Sequence, residues 1–401
     1  MSPPQVGVDI AEEKVPDVGM PVSAAKDEAR GRKAVLLIND LGRHSAALAA
    51  DLHAATQRVV DSGWYVLGPE VRAFEQELAA YCRMPYCVGV GNGTDALELG
   101  LRALGVAPGD MVATVANAGM YSSTAIVAIG AVPRYVDVDQ SLTMSPAALE
   151  EVIGSGVRAV IVTHLYGRMA SMRAIVPLCR SAGVPLLEDC AQAIGAELHG
   201  TPAGAWGDIG CFSFYPTKNL GAIGDGGAVL ARDEAVAERV RALRQYGWTR
   251  KYEATLPSGR NSRLDELQAA VLRVKLPHLA AWNVRRRAIA DRYGGGIRNP
   301  AVRLPPLSDS AYVAHLYVVR TAEPEALRAH LSAAGIASEV HYPVPDYRQP
   351  ALAGRATAGE LPSTEVACRE VLSLPCFPEM SDEEVDAVAE AVNRWEPSCS
   401  P

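Results

Sequence analysis

The sequence predicts an α/β protein built on a mainly parallel sheet, and three observations carry that expectation. Short apolar runs such as MVATVA, AVIVTHLYG and PLLEDC are continuous rather than alternating, as strands covered on both faces must be. Segments of helical period separate them, at Ser123 to Ile129, Pro146 to Ile153 and Met172 to Ala182. The joins are marked by glycine, proline and small polar residues, which end one element and turn the chain into the next.

Residues 1–34 are rich in Pro, Val, Ala and charge without either period, so a disordered extension is expected there. Folded structure should begin at VLLIND, from Val35, followed by helical spacing from Leu48 to Val60 and again from Val71 to Cys82. A short buried strand over Cys87 to Val90 runs into GNGTDALELGLRALG, where Thr94 and Asp95 open an amphipathic helix. After the central alternation, GGAVLARDEAVAERVRALRQYG gives a strand and a helix, and long Arg-rich helices follow. Gly294 to Gly296 and the prolines at 300, 305 and 306 read as a linker to a smaller α+β part containing AHLYVVRT, EALRAHLSAAGI and DEEVDAVAEAVNRW.

Composition narrows the function. The 401 residues carry 38 Lys and Arg against 46 Asp and Glu, and a net charge of −8 argues against a nucleic-acid partner. The eight cysteines stand singly, with no CxxC and no histidines at ligand spacing, so reduced core thiols and no metal site are expected. No apolar run reaches the roughly 18 residues of a membrane span, and no charged start precedes an apolar block at the N-terminus. A cytoplasmic protein without a membrane partner is the expectation.

Two stretches carry chemistry. Glycines lead into the helix start at Gly93, Thr94 and Asp95, where free N–H groups suit a phosphate, though a plain helix cap has the same look. The glycine order 89, 91, 93 is not GxGxxG, which removes the dinucleotide-binding oxidoreductase reading. In CFSFYPTKNLGAIGDGG, Lys218 follows an aromatic lead-in and Pro216 and precedes a glycine run. Such a lysine is either a desolvated nucleophile or one reaching out of a strand end, and the stretch alone leaves both open. Asp189, in LLEDCAQAIGA, falls at the carboxyl end of a predicted strand, where ligands of such sheets bind, with Gln192 three residues on.

The order of these features resembles the fold-type I pyridoxal-phosphate enzymes. The blocks GNGTDAL, THLYG, EDCAQAIGA, GDIGCFSFYPTKNLGAIGDGGAV, NSRLDELQAAVLRVKLP and HYPVP are similar to the sugar aminotransferases of the DegT/DnrJ/EryC1/StrS family, over about residues 35–395. The resemblance implies an aspartate aminotransferase-like fold, with residues 35–290 as the large domain that binds pyridoxal 5′-phosphate and 297–396 as a small C-terminal domain. It implies that Lys218 forms the Schiff base, that Asp189 lies beside the pyridine nitrogen and Gln192 near the phenolic oxygen, and that Gly93, Thr94, Asp95 and Ser213 cradle the phosphate. Tyr121, with Thr124 and Ala125, fits an aromatic over the cofactor ring, and Asn261 fits a residue reaching the neighbouring subunit's cofactor, hence a homodimer with shared sites.

The implied reaction moves an amino group from L-glutamate to a nucleotide-linked keto-deoxysugar in amino-sugar biosynthesis, with a dTDP-3-keto-6-deoxyhexose favoured because SGWYVLG and the central blocks look closest to enzymes acting there. Arg250, Lys251 and Arg260 are candidates for the diphosphate, and His164 and Tyr166 for the sugar. Transfer at C4 and a non-catalytic regulator of the same fold are the alternatives. A dehydratase of the family would carry histidine in place of Lys218, and relatives often carry histidine at the position of Tyr347.

Overall fold

Strands that are apolar on both faces need helices above and below them, and the computed structural model supplies both layers. It describes residues 35–306 and 308–398, so the extension expected over 1–34 and Cys399 lie outside the described residues. Helices α1 (Leu41–Ala47), α2 (Ala49–Ser62) and α3 (Pro69–Tyr81) lead into strand β1 (Tyr86–Val90). Asp40 caps α1 by accepting from the N–H groups of Gly42 and Arg43, and Pro69 opens α3 where its missing N–H is no loss.

The alternation follows as α4 (Gly93–Ala103), β2 (Met111–Thr114), α5 (Tyr121–Ala128), β3 (Val132–Tyr135), α6 (Pro146–Ile153), β4 (Val157–Thr163), α7 (Met172–Ala182) and β5 (Leu186–Asp189). Ser145 caps α6 ahead of its proline, and Gly183 ends α7 in the left-handed conformation with φ 64. A small hairpin, β6 (Glu197–Leu198) and β7 (Thr201–Pro202), precedes β8 (Ile209–Ser213) and β9 (Gly227–Ala231). Then come α8 (Glu234–Leu243), the hairpin β10 (Trp248–Arg250) and β11 (Glu253–Ala254), α9 (Glu266–Lys275) and α10 (Leu279–Gly296). The chain closes with β12 (Tyr317–Arg320), α11 (Pro324–Ala333), α12 (Pro362–Glu370), β13 (Val371–Leu374) and α13 (Asp382–Arg394).

Seven strands form the main sheet in the order β1-β9-β8-β5-β4-β2-β3. Only β9 runs against its neighbours, pairing antiparallel with both β1 and β8, so the sheet is mainly parallel as expected. Alternate residues of β4 serve opposite faces. Val160 and Val162 join an apolar cluster with Phe74, Ile175 and Leu272, while Ala159 and Ile161 join another with Leu99, Ile126 and Val240. Residues from Leu36 onward cluster as one compact unit. Within it, β12 pairs antiparallel with β13, and Tyr317, Leu327, Phe377 and Val388 build a further apolar cluster around them.

The glycine run departs from expectation. Gly294 to Gly296 are the last turn of α10 and not a linker. Packing overrides the poor helix propensity of glycine here: Tyr293 is fully buried, Arg292 is held by Asp386 at 2.6 Å, and the Gly296 carbonyl accepts from Asn393 at 2.9 Å. Seven cysteines, all but Cys399, are free and buried, as expected of core thiols. Among the described residues, no helix is long and apolar enough to cross a membrane.

Leu99 is fully buried between α4 and the sheet. Leu99→Ala should therefore lower unfolding stability by about 2–5 kcal/mol through lost burial and a residual cavity, measured as a fall in the urea midpoint at unchanged slope.

Candidate active site

The carboxyl ends of β4, β5 and β8 open together because parallel strands end on one side of their sheet. A cavity of about 410 Å³ lies there, and its wall contains Gly93, Thr94, Tyr121, Asp189, Gln192, Ser213 and Lys218. Residues far apart in the sequence, from Asn92 to Asp225, thus meet at one place.

One end is the start of α4. Asn92, not Thr94 or Asp95, is the N-cap, and its side chain accepts from the Asp95 N–H at 2.8 Å. That N–H is already used, so the backbone donors at this helix start are those of Gly93 and Thr94. A Cβ on Gly93 would stand 2.6 Å from Ser213 Cβ, so only glycine lets the Ser213 hydroxyl lie against the helix start. Gly227 at the head of β9 has the same constraint, its Cβ position being 2.3 Å from the Asn92 carbonyl oxygen.

The other end holds two opposite charges. Asp189 ends β5 with only 5% of its surface exposed. Its carboxylate accepts from the Ala191 N–H at 3.1 Å and from the Thr163 hydroxyl at 3.4 Å. Burial nevertheless pushes its pKa up, against those hydrogen bonds and the Lys218 charge. Lys218, half-buried in the cavity wall, has its pKa lowered to about 8 by desolvation, with Asp189 opposing the shift. The choice left open by the sequence falls to the desolvated amine, since Lys218 lines the cavity and does not extend from a strand end into bulk water.

Gln192 is oriented by its neighbours. Its Oε1 accepts from the Tyr166 N–H at 2.6 Å, and its Nε2 donates to the Tyr342 hydroxyl at 3.3 Å, which leaves a second N–H for a ligand. Tyr166 reaches Gln192 only by adopting a left-handed backbone, with φ 60 and ψ 11. Tyr121, 49% exposed, begins α5 edge-on to Tyr342 with ring centroids 6.0 Å apart. The start of that helix is fixed by buried Asp346, which accepts from the Met120 N–H at 3.0 Å and the Ser123 hydroxyl at 2.6 Å.

Seven candidates lie outside the wall of this cavity. His164 is fully buried and cannot face a sugar: its Nδ1 accepts from the Ala170 N–H at 3.2 Å, which puts the ring proton on Nε2, 2.9 Å from Glu188. Tyr166 is 6% exposed and turns its hydroxyl to the His341 carbonyl at 2.5 Å, so it too is structural. Arg260 is not a free cation, because it grips Asp95 and Glu98, each at 2.8 Å. Asp95 and Asn261 line an adjoining surface cavity, which shares Asn92 and Asp225 with the main one. Arg250 and Lys251 are exposed on the β10–β11 hairpin. Tyr347 turns from the site, hydrogen-bonding to Glu365 and packing on Tyr135 at 5.7 Å.

The sequence reading missed Asn92, Thr163, Tyr215 and Asp225 in the cavity wall. Asn92 had a signal, since Asn is a favoured N-cap, its side chain accepting from the N–H three residues on. Thr163 had one too, from its place beside Asp189 at the end of the neighbouring strand. His164, Glu188 and Cys190 approach one another closely enough to suggest a metal site. Glu188, however, already accepts from the N–H groups of Gly204, Trp206 and Gly207 at 2.8–3.0 Å, and so is a structural carboxylate.

Comparison with known proteins identifies the family of the chain. The chain is 45% identical over 360 residues to a dTDP-3-amino-3,4,6-trideoxy-alpha-D-glucose transaminase from Streptomyces venezuelae, covering 89% of this chain and 95% of that one. Among solved structures, S. venezuelae DesV in complex with a ketimine intermediate superposes with a TM-score of 0.87 at 44% identity, over 90% of this chain and 98% of that one. NtdA from Bacillus subtilis with bound cofactor PMP superposes with a TM-score of 0.80 at 29% identity, over 86% of this chain and 81% of that one. Residues 47–393 match the DegT/DnrJ/EryC1/StrS aminotransferase family, and the chain belongs to that family.

Proposed function

We propose that this chain transfers an amino group from L-glutamate to the ketone of a nucleotide-linked deoxysugar, a 3-keto-6-deoxyhexose carried on dTDP. The observation that carries the reading is a single cavity with a desolvated amine, a buried carboxylate and a helix start edged by a serine hydroxyl. The cofactor is pyridoxal 5′-phosphate, and these residues fit its three polar ends. The cavity wall they share, with the free N–H groups at the start of α4 beside the Ser213 hydroxyl, suits a phosphate.

When bound, the cofactor supplies an aldehyde that condenses with amines and a ring that takes up the electron pair released at the neighbouring carbon. The chain does the rest. The N–H groups of Gly93 and Thr94 and the Ser213 hydroxyl hold the phosphate. Asp189, in a site where burial favours its sharing a proton, holds one at the ring nitrogen. Gln192 donates its remaining N–H to the phenolic oxygen, and Tyr121 offers an aromatic face to the ring. Lys218 Nζ, desolvated enough to be a base near neutral pH, takes the proton from the α-carbon of glutamate and later returns a proton to the sugar carbon.

In this reading two copies of the chain form a homodimer, and Asn261, outside the cavity of its own chain, serves the partner's cofactor. Arg250 and Lys251, on an exposed hairpin, meet the substrate diphosphate. Residues 35–290 act as the large domain, and 297–396 as a small domain beside the site.

Lys218→Ala should abolish transamination with the far-ultraviolet circular dichroism unchanged; retained turnover would end the mechanism. Borohydride added to the wild-type protein with pyridoxal phosphate should fix a pyridoxyl group on the Lys218 peptide, read by mass spectrometry. The cofactor-free protein should combine with pyridoxal phosphate faster as pH rises, with a midpoint near about 8 and not the ordinary 10.5, because only the neutral amine attacks. Incubation of a panel of 3-keto and 4-keto sugar nucleotides with glutamate should give amine at C3 of a dTDP sugar; product at C4 alone would correct the position.

A further inference from the structure

The helix start that receives the phosphate has an electrostatic difficulty of its own. Asp95 sits in the first turn of α4, and Glu98, 1% exposed, sits one turn further along. Acids there are favourable for the helix, whose N-terminus carries partial positive charge. For a phosphate seeking the same partial charge they are competitors. Their field acts across a site walled by protein, where screening is weaker than in open water.

Two arginines answer this, from different parts of the chain. Arg102 lies one turn along the helix and reaches Glu98 at 3.0 Å. Arg260 comes from the loop before α9 and spans both acids, with Nη1 2.8 Å from Asp95 and Nη2 2.8 Å from Glu98. Its backbone is pinned at both ends: its N–H donates to the Leu243 carbonyl at 2.8 Å, and its carbonyl accepts from the Tyr246 N–H at 3.0 Å. The planar guanidinium fork suits this bridging role, whereas a lysine point charge would serve one acid at a time. With Asp95 and Glu98 at −1 each and Arg102 and Arg260 at +1 each, the cluster is neutral. Without Arg260 it would carry −1 beside the phosphate.

We propose that Arg260 is a positioning residue for cofactor affinity: by bridging Asp95 and Glu98 it cancels the acid charge at the start of α4 and leaves the helix end attractive to the phosphate. This rests on the assignment of that helix start to the cofactor phosphate. It also replaces the role that the sequence suggested for Arg260, contact with the substrate diphosphate. The guanidinium acts through Asp95 and need not touch the phosphate.

The test is equilibrium binding of pyridoxamine 5′-phosphate, and of pyridoxamine lacking the phosphate, to the full-length chain freed of cofactor, by titration calorimetry. Arg260→Gln should weaken the phosphorylated ligand about tenfold, equivalent to about 1.4 kcal/mol, and leave pyridoxamine unchanged. Adding Asp95→Asn to it should restore most of the loss. Asp95→Asn alone should tighten the phosphorylated ligand severalfold, a measurement that stands even if Arg260→Gln fails to fold. An unchanged affinity in both single variants, an equal loss for both ligands, or no rescue in the double variant would overturn the role of Arg260 and leave the cofactor assignment intact. Wild-type protein that bound the two ligands equally would instead overturn the phosphate assignment, and the inference with it.

Discussion

Desolvation of two opposite charges, one at the end of β5 and one in the loop that follows its neighbour β8, is the constraint on which the site depends. Asp189 and Lys218 would each be stable in water as ions, and the fold denies them that. The sheet supplies the means, because β5 and β8 are parallel neighbours ending on one side and their bulky apolar residues exclude solvent below the ends. Asp189 is raised by burial and Lys218 lowered, so the two groups move toward each other in proton affinity. Of the two, Lys218, lowered to about 8, has a neutral fraction near neutral pH that an exposed lysine lacks.

The surrounding structure keeps that arrangement in register by close approach of backbone. Gly93 and Gly227 have no room for a side chain, one against Ser213 and the other against Asn92. These contacts tie α4, β8 and β9 into one unit. The single reversed strand of the sheet is part of the same solution: β9 returns from the loop carrying Lys218 and fills the place between β1 and β8, so both flanks of that loop are hydrogen-bonded into the sheet. A buried ion needs fixed partners more than it needs many of them.

Much of this was legible in the sequence, for reasons that differ by residue. The strand ending at Asp189 and the helices at Pro146–Ile153 and Met172–Ala182 were readable because apolar runs and helical period are local signals. Lys218 stood out by its apolar neighbours, and only the order of the surrounding blocks turned that into chemistry. The misreadings share a cause, which is that partners distant in sequence decide what a side chain does. His164 is taken up by Glu188, 24 positions away, and Arg260 by Asp95, 165 positions away. Gly294 to Gly296 stay helical because α13 lies against them, a fact absent from any local window. Asn92 was the exception, a local cap that the reading passed over in favour of the residues after it.

The clamp between Asp346 and the start of α5 makes the aromatic wall a dependent of the C-terminal part of the chain. Tyr121 has little packing of its own, being half in solvent, and its helix is preceded by Met120 with φ 73, a conformation that needs support. That support comes from a carboxylate 226 residues later, whose own N–H is tied to the Ala116 carbonyl at 2.8 Å. Asp346 is thereby stitched to both ends of the segment that presents Tyr121. The 341–352 segment and the Tyr121 ring form one mechanical piece, so a ligand that shifted the former would tilt the latter with it.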